Sequence, residues 1–213
     1  MKRVIIINRG ISKEIHAEIR ELISFGQEFE YVSLRGDPSR FIRPAICTVT
    51  SASDANKTNV MRKIFEMRPN LRLIRSFTTR GPMVSDLPGE YIYNVPAERF
   101  VRHQNRYLSV SEEHENYYAT HKTSLVKALE PLTADAYPRF MILEPEAVRS
   151  VRSYISTKYD DPESFVASFY ILSLGEVDYW EQDKDALASD IPYIFLSNKG
   201  GLDSVAQQML LFF

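Results

Sequence analysis

Residues 46–69, ICTVTSASDANKTNVMRKIFEMRP, run from a β-branched apolar stretch through a short polar segment into an amphipathic one that ends at Pro69. This is the pattern of a buried strand, a tight loop and a helix packed back onto the strand. The eight residues 51–58, SASDANKT, stand where the motif GxxxxGK[ST] would cradle a phosphate. That motif works because glycines let successive backbone N–H groups close around phosphate oxygens, while the lysine reaches the outer phosphates and the hydroxyl binds magnesium. Lys57 and Thr58 keep the lysine and the hydroxyl, but Ser51 and Asn56 replace both glycines. Asp54 adds a carboxylate that, at about 5 Å and an effective dielectric of about 20, would repel each unit of phosphate charge by roughly 3 kcal/mol. The same residues also suit a plain helix start, since serine, aspartate and asparagine are good N-caps.

Around this unit, strand-like runs alternate with helical periodicity along the chain. Val4 to Ile7 and Phe29 to Leu34 read as strands flanking a helix that carries Ile15, Ile19, Leu22 and Ile23 on one face, a β-α-β extension over residues 1–44. Arg35, Arg40 and Arg43 form a basic cluster in the connector that follows. Further strands are expected over residues 45–50, 71–76, 90–95, 107–110, 140–143, 165–172 and 193–198. Helices are expected over 56–67, 96–103, the stretch with Leu125, Val126 and Leu129 on its apolar side, 146–155 and the last twelve residues. Such alternation predicts an α/β fold, a parallel sheet covered on both faces.

Composition narrows the class. With 213 residues, 44% hydrophobic and 25% charged, the chain can bury one sizeable core. A net charge of −2 gives no overall attraction to nucleic acid or anionic lipid. Cys47, alone and inside the apolar run AICTV, reads as a buried small hydrophobe and excludes an internal disulfide framework. The apolar run at the N-terminus is too short for a signal peptide or a membrane span, so a cytoplasmic location is expected. Glu112, Glu113 and Glu115 read as a solvated turn, and the four histidines lack zinc-ligand spacing.

Three further blocks carry a resemblance. SFTTRGP stands at residues 76–82, HENYYAT at 114–120, and FMILEPEAVRSVR runs from a strand through an acidic residue into a helix. In order and spacing these are similar to the guanylate kinase family over nearly all of residues 45–213, where the second block reads HGNYYGT. The resemblance implies a three-layer, P-loop, guanylate-kinase-like core over residues 45–213, with a monophosphate-binding arm and a lid, that transfers phosphate from ATP to GMP with Mg2+. It implies ATP contacts at Ser53, Asn56, Lys57 and Thr58, with Thr58 on the metal and Lys57 and Arg80 in catalytic positions. It places Ser76, Arg80, Tyr93, Tyr118, Thr120 and Glu144 around the monophosphate nucleotide, with Arg80 and Tyr118 on its phosphate, Thr120 on the base, and Glu144 where the family has an aspartate.

The sequence also departs from the family. The second phosphate-clamping arginine is Met83, the strand tyrosine aligns with Ile92 unless a one-residue slip brings in Tyr91 or Tyr93, and the guanine-reading glutamate aligns with Ser109. The lid is replaced by LGEVDYWEQDKDALASD, and no arginine follows Arg152. One arginine around a transferred phosphoryl group is worth about 10³ to 10⁵ in rate. The expectation is therefore a catalytically degenerate member that binds a monophosphate nucleotide, another anionic ligand or a protein partner at the former GMP site, with no nucleic acid and no membrane. Scaffold proteins that keep a guanylate kinase core as a binding module are the precedent within the family. The alternative is a divergent ATP-dependent nucleoside monophosphate kinase whose missing charges come from another subunit or from Arg35, Arg40 and Arg43.

Overall fold

The computed structural model describes residues 3–7, 28–32, 44–52, 54–130, 137–160, 165–172, 182, 185–186, 189–191, 193–197 and 201–210. Ile46–Ser51 forms β3, and every residue of it is buried. A strand buried on both faces must be apolar nearly throughout, which is why ICTV reads as a run rather than an alternation. Asp54–Met67 forms α1 directly after it.

β3 lies near the middle of a seven-stranded sheet whose described pairings are all parallel. Its other strands are β1 (Arg3–Ile7), β2 (Glu28–Val32), β4 (Arg72–Leu73), β9 (Arg139–Ile142), β10 (Val166–Leu172) and β11 (Tyr193–Ser197), in the spatial order β2-β1-β11-β10-β3-β9-β4. The first two strands pair with each other, and β1 joins β11, so the N-terminal extension enlarges the sheet. The helix expected between them lies outside the described residues, as does the basic cluster Arg35, Arg40 and Arg43.

Because side chains alternate along a strand, β3 feeds two cores. Cys47 and Val49 join Val60, Met61 and Ile64 of α1, and Val205, Ala206 and Met209 of the C-terminal helix Gly201–Leu210. Ile46 joins the opposite core with Leu125 and Ala128 of helix Lys122–Leu129, and Val148, Val151 and Ile155 of helix Pro145–Ser156. Helices on both faces of one sheet make the three layers. Burial pushes the Cys47 thiol up, so it is an inert core residue. Val126, expected on the apolar side of its helix, is 42% exposed, and Ala128 takes the buried position instead.

A second, four-stranded sheet has the order β6-β5-β8-β7, with β5 Ser76–Thr78, β6 Tyr91–Ile92, β7 Tyr107–Glu113 and β8 Asn116–His121. Here the expected strand 71–76 divides in two. Ile74 N–H donates to Phe140 in the large sheet at 2.8 Å, whereas Ser76 N–H donates to Glu90 beside the small one at 2.9 Å, so the chain changes sheets between them. The expected strand 90–95 shortens to two residues, that at 107–110 lengthens to seven, and the residues before helix Lys122–Leu129 form an additional strand, β8. The short helix Ala97–Arg102 (α2) covers one face of this sheet through Phe100, which stacks on Tyr107 at 5.5 Å and on Tyr117 at 5.7 Å between ring centroids.

The β7–β8 hairpin turns through His114 and Glu115, at φ 48° and 65°. Two positive-φ residues match the twist of a two-residue hairpin, but left-handed backbone costs a non-glycine residue roughly 1 kcal/mol. Glu115 occupies the place of the glycine in HGNYYGT. Glu115→Gly is therefore expected to raise stability by about 0.5–1 kcal/mol in urea unfolding, and a loss would show that the turn carries no strain.

Candidate functional site

Pairing within the small sheet sorts its side chains by face. Phe77 lies opposite Ala119 and Thr78 opposite Tyr118, so Ser76, Thr78, Tyr118 and Thr120 share one face, while Phe77, Tyr117, Ala119 and His121 share the other. On the first face the hydroxyls of Ser76 and Thr120 share a hydrogen bond at 2.9 Å. Two blocks that are far apart in sequence thus meet as neighbours.

Arg80 follows β5 on the same side. Its Nε donates to the Tyr118 hydroxyl at 3.1 Å. Its guanidinium carbon lies 4.8 Å from the Tyr91 ring centroid, 5.8 Å from that of Tyr118 and 5.9 Å from that of Tyr93. The return of the chain after β6 creates this cage, fixed by Asn94 N–H donating to Arg80 C=O at 3.1 Å and Val95 N–H to Thr78 C=O at 3.0 Å. Three π faces around one planar cation hold it in place without neutralising it. Of the three positions weighed for the phosphate tyrosine, Tyr91 and Tyr93 flank Arg80, whereas Ile92 is 38% exposed.

Neutralisation comes from Asp86, a residue that sequence reasoning missed. Arg80 Nη1 donates to Asp86 Oδ2 at 2.8 Å and Nη2 to Oδ1 at 2.6 Å, a two-pronged pair. Met83 N–H donates to the same carboxylate at 2.7 Å. Hydrogen bonding from Arg80 holds the Asp86 carboxyl below its ordinary value, and the carboxylate in turn raises the already high pKa of Arg80. Beside the cage, burial raises the Glu90 carboxyl and pushes the Tyr91 phenol up. Met83, in place of the second clamping arginine, brings no charge and is 56% exposed.

The other half of the expected site lies at the C-terminal end of the large sheet. Lys57 is buried, and its Nζ pairs with Glu144 Oε1. Glu144 is the N-cap residue of helix Pro145–Ser156, and proline at the first helical position presets the turn that brings it there. It thus engages the lysine, where the resemblance would have it beside a base. Thr58 is half-buried on α1. α1 begins at Asp54, two residues earlier than expected, so only Ala52 and Ser53 separate it from β3. Ser53, the side chains of Asp54 and Asn56, and nearly all of the segment in the lid position lie outside the described residues.

Comparison with known proteins gives a consistent relationship. No protein-family model matches the chain. It is 24% identical to a guanylate kinase of Rhizobium meliloti over 177 residues, which span 73% of this chain and 80% of that protein. It is 37% identical to a guanylate kinase of Aromatoleum aromaticum over 79 residues, covering 36% and 39% of the two chains. The crystal structure of guanylate kinase from Anaplasma phagocytophilum superposes with a TM-score of 0.53 at 17% identity, covering 79% of this chain and 84% of that one, which fixes the fold. Among the described residues no helix is long and apolar enough to cross a membrane. In sequence the chain is thus similar to several guanylate kinases, and its three-layer α/β architecture matches the guanylate kinase fold.

Proposed function

We propose that this protein binds a nucleoside monophosphate, or a ligand with an equivalent phosphate, at the Arg80 cage and does not transfer a phosphoryl group to it. The observation that carries the reading is the tyrosine-caged guanidinium, whose Nε donates to Tyr118 beside the Ser76–Thr120 pair. A guanidinium presents a planar donor fork that matches phosphate oxygens, and three aromatic rings pre-organise it at little entropic cost. The ligand phosphate shares Arg80 with Asp86 or displaces it, and the Ser76 and Thr120 hydroxyls are available to the nucleoside.

Phosphoryl transfer is left out of the proposal for reasons of charge. The Lys57–Glu144 pair opposes an ATP phosphate site by occupying the lysine, and Met83 stands where a clamping arginine would. The relatives are named guanylate kinases, which is the observation behind the other reading, a divergent ATP-dependent nucleoside monophosphate kinase. Calorimetric titration separates the outcomes. Saturable one-site binding of GMP without Mg-ATP is expected, and no heat at millimolar GMP, AMP or UMP would overturn the proposal.

Asp86 gives a further expectation at the same site. A carboxylate about 5–6 Å from a bound phosphate weakens binding by Coulomb repulsion and by competing for Arg80. Asp86→Asn is therefore expected to tighten GMP binding by about tenfold. Weaker binding would mean that Asp86 mainly positions the arginine.

A further inference from the structure

The opposite face of the small sheet, away from the Arg80 cage, holds a cavity of about 200 Å³ lined by Phe77, Arg99, His103, Arg106, Tyr107 and His121. Its walls carry two guanidiniums and two imidazoles and no carboxylate. Among the described residues neither Arg99 nor Arg106 takes part in an ion pair. In a chain of net charge −2, two guanidiniums around one hollow with no carboxylate among its lining are a local concentration of positive potential.

Local structure builds this arrangement. Arg99 and His103 are four residues apart on α2 and its C-cap, so both fall on one side of the helix. The 3-10 turn Gln104–Arg106 follows at once, tied back by Arg106 N–H donating to His103 C=O at 2.9 Å, which keeps Arg106 beside them. The aromatic wall is equally set: Phe77 meets Tyr107 at 6.1 Å and His121 at 6.0 Å, and Tyr107 meets His121 edge-on at 5.5 Å.

His121 is also held in one tautomer. Its Nδ1 accepts from the backbone N–H of Thr123 at 3.2 Å, capping helix Lys122–Leu129, and lies 2.6 Å from the Thr123 hydroxyl. A backbone N–H can only donate, so Nδ1 carries no proton and the neutral ring bears its proton on Nε2. The neutral imidazole is thereby a hydrogen-bond donor through its other nitrogen.

We propose that this cavity is a second anion site, for a small phosphate monoester whose organic part is aromatic. The guanidiniums of Arg99 and Arg106 bind the phosphate, His103 and His121 donate to it, and the Phe77–Tyr107 wall takes the ring. Guanidinium forks match an oxyanion better than a halide, two of them suit the nearly double charge of a phosphate monoester, and an aromatic wall favours an aryl or nucleoside ester over inorganic phosphate. The site stands apart from the Arg80 cage, because Phe77 and His121 face away from Tyr118 and Thr120.

The test is a backbone-amide NMR titration of the full chain with phenyl phosphate and with inorganic phosphate, at constant ionic strength set with sodium chloride. Phenyl phosphate is expected to shift the amides of His103, Arg106, Tyr107 and Thr123 saturably, and inorganic phosphate to shift the same amides with weaker affinity. Arg99→Gln and Arg106→Gln, both at exposed positions, are each expected to raise the Kd by about tenfold. Arg80→Ala leaves these shifts unchanged, so failure here and failure of the monophosphate pocket are told apart. Shifts confined to residues around Arg80, shifts reproduced by chloride alone, or an affinity indifferent to both arginine variants would overturn the proposal.

Discussion

Arg80→Ala is expected to weaken GMP binding by about 30- to 100-fold, measured as Kd by calorimetry. Charge-assisted bonds from a guanidinium to phosphate contribute about 2–3 kcal/mol, and this guanidinium is fixed in advance by Tyr91, Tyr93 and Tyr118. Its removal also leaves the Asp86 carboxylate unpaired beside the ligand, which adds repulsion to the lost attraction. Arg80→Lys keeps the charge but not the fork, and is expected to recover only part of the loss. The double variant with Asp86→Asn separates the two contributions: it binds better than Arg80→Ala alone if repulsion matters. An affinity within twofold of wild type for Arg80→Ala would place the phosphate elsewhere.

Phe100→Ala is expected to cost about 3–5 kcal/mol and to melt the small sheet selectively. Phe100 is the one buried residue of α2, fully enclosed and stacked between Tyr107 and Tyr117. The cluster that it anchors is small, with Val95, Tyr107 and Ala119 as the other buried members, so neighbouring side chains cannot collapse into the space. Hydrogen exchange should show protection lost in β5 to β8 while β3, β9 and β10 keep theirs, because those strands draw on separate cores. GMP binding should fall with it, since Arg80 and Tyr118 are positioned by strands of that sheet. Phe100→Leu, which keeps most of the buried volume, should cost far less. A uniform loss of protection across both sheets would contradict this division.

These two residues show what was legible in the sequence. The large sheet was readable because each strand is an apolar run set between helical segments, and ICTVT followed by an amphipathic stretch admits few other readings. The blocks SFTTRGP and HENYYAT were readable as a pair because they occupy paired strands, with Thr78 facing Tyr118 and Ser76 touching Thr120. The small sheet itself was not. Its strands are two to seven residues long, and the switch between sheets at Ile74 to Ser76 leaves no mark on periodicity. YYATH carries strand-forming tyrosines and a threonine, but only its pairing with β5 and β7 shows where it lies.

The pairing of charges was the least legible feature. Asp86 sits in a polar connection where a carboxylate is unremarkable, and only the folded chain brings it to Arg80. Glu144 has the same history: a residue expected beside a nucleotide base instead meets Lys57. Both cations retained from the resemblance are thus matched by carboxylates of the chain itself. Ion pairing is cheap to form locally and costly to read from sequence, since six residues separate one pair and eighty-seven the other.

The central claim, a retained monophosphate pocket without phosphoryl transfer, is tested most directly by phosphorus NMR of GMP and Mg-ATP mixed with the protein. The account predicts that the GMP resonance shifts or broadens in proportion to protein, while no GDP or ADP signal grows over hours. Steady growth of GDP and ADP in equal amounts, abolished by Lys57→Met, would contradict it.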